Sequence, residues 1–245
     1  MSRFFVESNL IYESTIIIEE KSDIQHISKV LRLRVGDEID ISDSREWEYR
    51  CEIIDISKEH VECLILDKQK FAREPNTKVT LFQGIPKQGK MDLVVQKSVE
   101  LGVKEIVPVF MKRTVVSDKG TFWKKVIRFR TICQEAAKQC QRGIVPEIRQ
   151  EIDFADVLDR LKTFDVLIFP YENEDHLNIK DALRNLKNKP TNVAIIIGPE
   201  GGFSNEEAEA LKEIGALCVS LGKTILRTET ASIAAIAMTM YELEL

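Results

Sequence analysis

The sequence predicts an α/β fold in two parts, a small β-rich domain followed by a larger domain built on a parallel sheet. Three observations carry this reading. Up to about residue 70, short β-prone runs alternate with turn residues. From Lys78 onward, short apolar runs alternate with helix-forming segments, the pattern of a parallel sheet covered on both faces. Near the C-terminus, two strand–loop–helix units follow one another, each with a glycine-bearing loop after an apolar run. Such loops lie at the carboxyl end of an open α/β sheet, where ligands bind. A chain of 245 residues accommodates one or two domains of this kind.

The first domain takes residues 1–70. Arg3 to Glu7 and Thr15 to Glu19 are β-prone. Ser22-Asp23-Ile24-Gln25 reads as a capping box, opening a helix with Ile24, Ile27, Val30 and Leu31 on one face. A turn at Val35-Gly36-Asp37-Glu38 leads into the strand Ile39 to Ser42. Another at Asp43-Ser44-Arg45 leads into a strand where Trp47, Tyr49, Cys51 and Ile53 alternate. Lys58-Glu59-His60 turns the chain into Val61 to Leu66. Short strands separated by turns predict a small barrel or sandwich. Residues 71–78 are polar, hold Pro75 and Asn76, and read as a linker.

The second domain takes residues 79–245. Val79 to Gln83 is a strand, Gly84 to Lys90 a loop, and Met91 to Leu101 a helix closed by Gly102. Pro108 in the strand Ile106 to Met111 marks an edge or a local irregularity. A long helix runs from Thr121 to Arg142 and is followed by Gly143; a shorter one covers Asp153 to Leu161. The strand Asp165 to Phe169, the loop Pro170-Tyr171-Glu172 and a helix around Ile179 to Leu186 come next. Val193 to Ile197 is a buried strand. Ser204 with Glu207 forms a capping box for a helix that starts at Asn205 and ends near Gly215. Cys218 to Leu221 is the last strand, and an alanine-rich helix follows from Ala231.

Composition narrows the class. Hydrophobic residues make up 44% and charged residues 31%, as in soluble globular proteins. The longest apolar run, Ala231 to Met240, is too short for a bilayer, and Glu7 and Glu13 interrupt the N-terminal apolar residues. Neither a membrane span nor a signal peptide is expected. The five cysteines form no CxxC motif and read as buried thiols of a reducing compartment, the cytoplasm. His26, His60 and His176 are far apart, so no metal site is expected. A net charge of −5 counts against a nucleic-acid partner, but local distribution matters more. Lys29, Arg32 and Arg34 cluster, Lys112-Arg113 ends a strand, and Lys119 to Arg130 holds five basic residues and no acid, interleaved with Phe122, Trp123 and Phe129. These are solvated faces or phosphate contacts.

Two stretches carry candidate chemistry. In Gly198-Pro199-Glu200-Gly201-Gly202-Phe203-Ser204 the glycines serve either tight strand-to-helix geometry or close approach of a ligand. The loop is not a GxGxxG fingerprint. Gly222-Lys223-Thr224 is like the end of a phosphate loop, but Leu217 occupies the position that motif gives to its first glycine. In Arg227-Thr228-Glu229-Thr230, capping accounts for the threonines, Thr228 or Thr230 as N-cap, and for Glu229 in the first turn. It does not account for Arg227, a cation beside a helix N-terminus. Small residues in the last helix, Ala231, Ala234 and Ala235, fit core packing or a subunit interface.

Taken together, Gly198 to Ser204 and Leu221-Gly222 with Ile225-Leu226-Arg227-Thr228-Glu229-Thr230-Ala231 resemble the bacterial 16S rRNA uridine N3-methyltransferases, of the SPOUT class. Arg3 to Val6, His26 to Asp37, Lys97 to Pro108, Arg113 to Val116 and Glu135 to Arg142 are also similar, so the resemblance covers nearly the whole chain. Lys223-Thr224 departs from the Pro-Arg common there, and Lys112-Arg113-Thr114 from Glu-Arg-Ser. The resemblance implies a PUA-like RNA-binding barrel, then an α/β domain with a deep trefoil knot, and a homodimer. It implies S-adenosylmethionine as cofactor, held by Pro170, Glu172, Gly198, Pro199, Gly201, Gly202, Leu221, Gly222, Ile225, Leu226, Thr230 and Ala231. The implied target is N3 of uridine 1498 (standard rRNA numbering) in the decoding region of 16S rRNA, on the assembled 30S subunit. Loss of the N3 proton calls for a base or a cation. Arg227 is the candidate for the anion or a phosphate, and Glu229 or Glu200 for orientation or proton acceptance. Lys29, Arg32, Arg34, Arg113 and Arg142 are the candidates for RNA contact. The alternatives are another SPOUT reaction, such as ribose 2′-O methylation, or an inactive RNA-binding protein.

Overall fold

Two compact units make up the chain, Met1–Glu74 with Ala137–Val145, and Pro75–Ala136 with Pro146–Leu245. A computed structural model describes residues 2–71, 73–87, 89–116 and 119–244, with the backbone alone at Lys119. Gln88 of the loop expected at 84–90 and the Lys119 side chain of the basic run lie outside the described residues.

In the first unit, β1 (Arg3–Phe5), β2 (Thr15–Ile18), β3 (Glu38–Ser42), β4 (Trp47–Ile56) and β5 (Val61–Lys70) form one sheet in the order β1-β3-β4-β5-β2. Only the β1–β3 pair is parallel. Alternation along the strands buries Ile39 and Ile41, Tyr49, Cys51 and Ile53, and Val61 and Cys63 on one face. The helix between β2 and β3 differs from the expectation. It runs as α1 (Lys21–Gln25), and its N-cap is Glu20, whose carboxylate accepts the Ser22 N–H. Ser22 donates its own hydroxyl to Glu20 and caps nothing. From His26 to Val30 the helix widens, with the Leu31 N–H bonding the His26 carbonyl. That wider turn breaks the 3.6-residue period. Ile24 and Ile27 stay buried, but Val30 swings out to 70% exposure.

Seven parallel strands form the sheet of the second unit. They are β6 (Lys78–Gly84), β7 (Glu105–Phe110), β8 (Glu147–Ile148), β9 (Ile152–Asp153), β10 (Val166–Pro170), β11 (Asn192–Ile197) and β12 (Leu217–Val219). The order is β12-β10-β11-β6-β7-β8, with β9 also on β7. Residues 79–84 and 193–197 are buried without alternation, as strands covered on both faces require. Pro108 marks the irregularity expected of it. β8 pairs with Glu105 and Ile106, β9 with Val109 and Phe110, and the missing Pro108 N–H falls in the gap between them.

The helices are α2 (Lys90–Glu100), α3 (Trp123–Gln139), α4 (Phe154–Leu161), α5 (Ile179–Arg184), α6 (Asn205–Glu213) and α7 (Thr228–Glu244). α2 is followed by Gly102 at φ +91° and α6 by Gly215 at φ +85°, both in the left-handed region that suits glycine. The Ser204–Glu207 capping box is formed in full. α3 is shorter than expected. Gln141, not Gly143, takes the left-handed conformation, at φ +59°, and the Arg142 N–H returns to the Ala137 carbonyl. Gly143 is needed for another reason: a Cβ there would lie 2.4 Å from the Phe71 ring. All five thiols are free; burial pushes Cys51 and Cys63 up to about 12, which leaves them unreactive near neutral pH.

Candidate active site at the carboxyl ends of three strands

β10 pairs with β11 on one side and β12 on the other, so three neighbouring strands end together at Pro170, Ile197 and Val219. The loops that follow line a cavity of about 420 Å³. Of the residues expected to hold a cofactor, Pro170, Glu172, Gly198, Pro199, Gly202, Leu221, Gly222, Ile225, Leu226 and Ala231 line it, as do Arg227 and Glu200. Three expected site residues, Gly201, Thr230 and Glu229, do not. Gly201 lies against Arg113, whose Nη1 donates to its carbonyl at 2.9 Å. Thr230 is exposed on the first turn of α7. Glu229 points to a lysine described below.

Backbone geometry explains two of the glycines. Gly202 sits at φ +68°, and its N–H closes a turn onto the Pro199 carbonyl at 2.9 Å. Gly222 sits at φ +140° with open space where a side chain would project. Neither glycine puts a side chain into the cavity that both line. Leu217 lies in β12, so no phosphate loop forms around Gly222-Lys223-Thr224.

The start of α7 is held by a buried polar network that capping logic missed. Thr228 is the first helical residue and does not cap its own helix. Its hydroxyl donates to the Gly198 carbonyl at 2.6 Å and accepts from Gln83 Nε2 at 3.1 Å. Ser232 donates to the Thr228 carbonyl at 2.8 Å and also bonds Gln83 Oε1. The loop after β11, the end of β6 and the first turn of α7 are thereby one rigid body. Arg227 stands just before it. Its side chain is exposed and has no hydrogen-bond or ion-pair partner among the described residues.

Lys90, the first residue of α2, also lines the cavity. Its ammonium lies 3.2 Å from Glu200 Oε1 and 3.2 Å from Glu229 Oε2. Partial burial favours the neutral amine, but the bonds to Glu229 and Glu200 outweigh it and raise the Lys90 pKa above the ordinary lysine value. For Glu200, burial acts upward, while the Lys87 N–H and Lys90 act downward and win, holding the carboxyl below the usual range. A carboxyl held low in this way is a poor proton acceptor near neutral pH. Sequence reading passed over Lys90 as the last residue of a loop. Glu174 and Asp175, also on the wall, were missed as well, since nothing marks them in an exposed polar segment.

Of the basic residues expected to meet RNA, Lys29, Arg32 and Arg34 are exposed in the first unit, and Arg32 sits at φ +55°. Arg113 is exposed beside the glycine loop. Arg142 is a correction. Its side chain is 7% exposed and bonded to Glu74, whose carboxylate also accepts the N–H groups of Gly143 and Ile144. An arginine enclosed in this way supports the fold and is not presented to a nucleic acid. Among the described residues no three His, Cys, Asp or Glu side chains converge as metal ligands, and no helix is long and apolar enough to cross a membrane.

A glycine-lined cavity at adjacent strand ends of a parallel sheet suits a small-molecule cofactor, and family comparison defines the class as RNA methyltransferase. Residues 73–240 match the family described as RNA methyltransferase domain, and residues 18–66 the family described as RNA methyltransferase PUA domain. Ribosomal RNA small subunit methyltransferase E of Bacillus subtilis is 33% identical over 251 aligned positions, covering 100% of this chain and 98% of that protein. The protein of that name from Buchnera aphidicola subsp. Schizaphis graminum is 34% identical, covering 96% of this chain and 92% of its own. Among solved structures, ribosomal RNA small subunit methyltransferase E from Neisseria gonorrhoeae, bound to S-adenosyl methionine, superposes with a TM-score of 0.87 at 30% identity, over 98% of this chain and 97% of that one. The chain belongs to the ribosomal RNA small subunit methyltransferase E family.

Proposed function

We propose that this chain transfers a methyl group from S-adenosylmethionine to N3 of a uridine in 16S rRNA, uridine 1498 in standard numbering, in the decoding region of the assembled 30S subunit. Family membership makes it an S-adenosylmethionine-dependent rRNA methyltransferase. The observation that carries the finer reading is the pairing of the glycine-walled cavity with Arg227, a guanidinium left uncommitted at its edge.

The residues present fit the cofactor. The cavity of about 420 Å³ falls in the range of small-molecule sites, and its walls mix apolar Leu221, Ile225 and Leu226 with the glycines Gly198, Gly202 and Gly222. Carboxylates at Glu172, Glu174 and Asp175 suit a ligand bearing positive charge. Pro170, Pro199 and Ala231 complete the wall. When bound, S-adenosylmethionine supplies an electrophilic methyl on a sulfonium. Uracil N3 is a weak nucleophile until its proton leaves, and Arg227 stabilises the anion that results, or the neighbouring phosphate. Glu200 and Glu229, both paired with Lys90, orient the site, and water takes the proton. Holding N3 in line with the methyl supplies most of the acceleration.

The same reading extends to assembly. We assign residues 1–70, joined by Ala137–Val145, to a PUA-like RNA-binding barrel, 71–78 to a linker, and the rest of 79–245 to a methyltransferase domain with a trefoil knot at its C-terminal end. Exposed Lys29, Arg32, Arg34 and Arg113 are the proposed phosphate contacts. A homodimer is proposed through the small-residue face of α7, and the cytoplasm as the site of action, matching five free thiols.

The test is mass mapping of 16S rRNA after incubation of unmodified 30S subunits with enzyme and S-adenosylmethionine. One base methyl in the decoding region, absent when free rRNA is supplied, is the expected result. A ribose methyl, a methyl elsewhere, or none would overturn the reading.

A further inference from the structure

We infer that Lys90 is a positioning residue whose task is to occupy Glu200 and Glu229, so that the guanidinium of Arg227 stays free for an anionic ligand. This rests on the reaction proposed above and names the device that keeps its cation available.

The argument begins with a residue in an unfavourable place. Lys90 opens α2 directly after Gly89, itself at φ +87°. A cation at a helix N-terminus opposes the dipole, so some other interaction must hold it there. That interaction is a double one, 3.2 Å to Glu200 and 3.2 Å to Glu229. The three groups come from three elements: the start of α2, the loop after β11, and the second residue of α7. Among the described residues no other cation pairs with either carboxylate. Glu229 is 14% exposed and Glu200 20%, so water offers each only partial compensation.

Arg227 shares this neighbourhood. It lines the same cavity as Lys90 and Glu200, and it precedes Glu229 by two residues. A guanidinium lining the same cavity as an under-solvated carboxylate, here Glu200, is a ready partner for it, often in two-pronged fashion. In this structure the two do not pair, because the ammonium of Lys90 already holds Glu200, together with Glu229. The four side chains sum to zero charge. Without Lys90 the sum is −1, and the surplus falls where a polyanion approaches and an anion develops. A lysine suits the task, since its compact charge can be shared between two carboxylates on separate elements.

The experiment compares the full-length wild type with Lys90→Met, Lys90→Arg, Glu229→Gln and the double variant Lys90→Met with Glu229→Gln. The first readout is single-turnover methyl transfer to 30S subunits, alongside calorimetric affinity for S-adenosylmethionine. Lys90→Met is expected to slow transfer about 100-fold, the scale on which a misplaced catalytic group acts, with cofactor affinity within about threefold of wild type, as expected when a lost interaction acts in the transition state. Lys90→Arg is expected to restore most of the rate. The double variant is expected to recover at least about tenfold over Lys90→Met, because one of the two unpaired carboxylates is gone and the charge of the remaining Arg227 and Glu200 is again zero. A double variant as slow as Lys90→Met would overturn the proposal and leave Lys90 a mere brace.

The second readout needs no methyl transfer. Phenylglyoxal labelling with peptide mass analysis is expected to modify Arg227 in wild type, to spare it in Lys90→Met, and to modify it again in the double variant. Equal labelling in all three would overturn the proposal. If wild type methylates nothing while labelling follows this pattern, the reaction assignment fails and the role of Lys90 stands. Lys90→Gln, polar and uncharged, is the second variant on which the labelling can be read if Lys90→Met does not fold.

Discussion

Gly84 backs the Gly198-Pro199 part of the cavity wall, and Gly84→Ala measures how tightly the site is set. Gly84 ends β6, and a Cβ built on it would lie 2.6 Å from Pro199 N, 2.7 Å from Pro199 Cδ and 2.9 Å from the Gly198 carbonyl carbon. Its φ is outside the left-handed region, so alanine suits the backbone and the whole cost is steric. Non-bonded carbons are comfortable at about 3.5–4.0 Å, which leaves a shortfall of about 1 Å. Nothing soft absorbs it. The opposing atoms are main chain and a proline ring, and the pair Gln83–Ile197 holds β6 and β11 in register one residue away. Overpacking of this kind costs about 1–3 kcal/mol, and at about 2–4 °C per kcal/mol for a chain this long the melting temperature falls by about 2–12 °C. The displaced segment is Gly198-Pro199, so methyl transfer should fall about 100-fold, the effect of a 1 Å misplacement. The control is Gly215→Ala, at φ +85° with open space around it, which costs about 1–2 kcal/mol through backbone strain alone and is expected to leave transfer intact. Calorimetric melting and single-turnover transfer on both variants decide it. Unchanged transfer in Gly84→Ala would refute the claim that this contact sets the cavity wall.

Four further outcomes are expected. Arg227→Ala should keep S-adenosylmethionine affinity in calorimetry and lose methyl transfer by about 100-fold or more, the cost of removing one electrostatic stabiliser. Thr228→Val keeps the shape but leaves Gln83 Nε2 and the Gly198 carbonyl one partner short, a loss of about 1–3 kcal/mol in denaturant melts. Arg142→Met strands the Glu74 carboxylate and should cost about 3–5 kcal/mol, while RNA affinity and its salt dependence stay as in wild type. Burial would raise the Glu244 carboxyl, but hydrogen bonds from Thr77 and Asn76 and the charge of Lys189 hold it at about 2, against 4.5 unfolded. Its contribution is therefore complete above pH 4.5 and lost as pH falls toward 2. Acid melts of Glu244→Gln should be flatter across that window.

The elements of both units were legible because their signals are local. The Ser204–Glu207 box, Gly102, and the alternation of Tyr49, Cys51 and Ile53 each need only a few neighbouring residues, and each is found as read. What stayed hidden depends on partners distant in sequence. Lys90 becomes a site residue only because β6 lies beside β11, which brings Glu200 to it across more than a hundred residues. Arg142 looked like a surface cation until Glu74 was seen to enclose it. Val30 followed a faultless helical period and still ended in solvent, since one wider turn rotated it away. Thr228 carried the right type for a cap, and no local rule says that its hydroxyl turns to Gly198 instead.

That last difference bears on why Arg227 works where it stands. A long, flexible side chain with no partner is a poor catalyst unless its backbone is fixed, because ordering it during the reaction costs rotamer entropy. The structure divides the problem between neighbours. Thr228 is buried and bonded to Gly198, Gln83 and, through its carbonyl, Ser232, which fixes the main chain one residue after Arg227. Lys90 removes the carboxylates that would otherwise order the guanidinium in the wrong place. What remains free is the Arg227 side chain itself, among the residues that line the cavity. On this account Thr228→Val and Lys90→Met impair Arg227 by opposite routes, one by loosening its anchor and one by trapping its head. Adding Glu229→Gln should therefore recover transfer in the Lys90→Met background and do nothing for Thr228→Val. Equal recovery in both backgrounds would show that the two residues act through a single contact network and that the division of labour is not real.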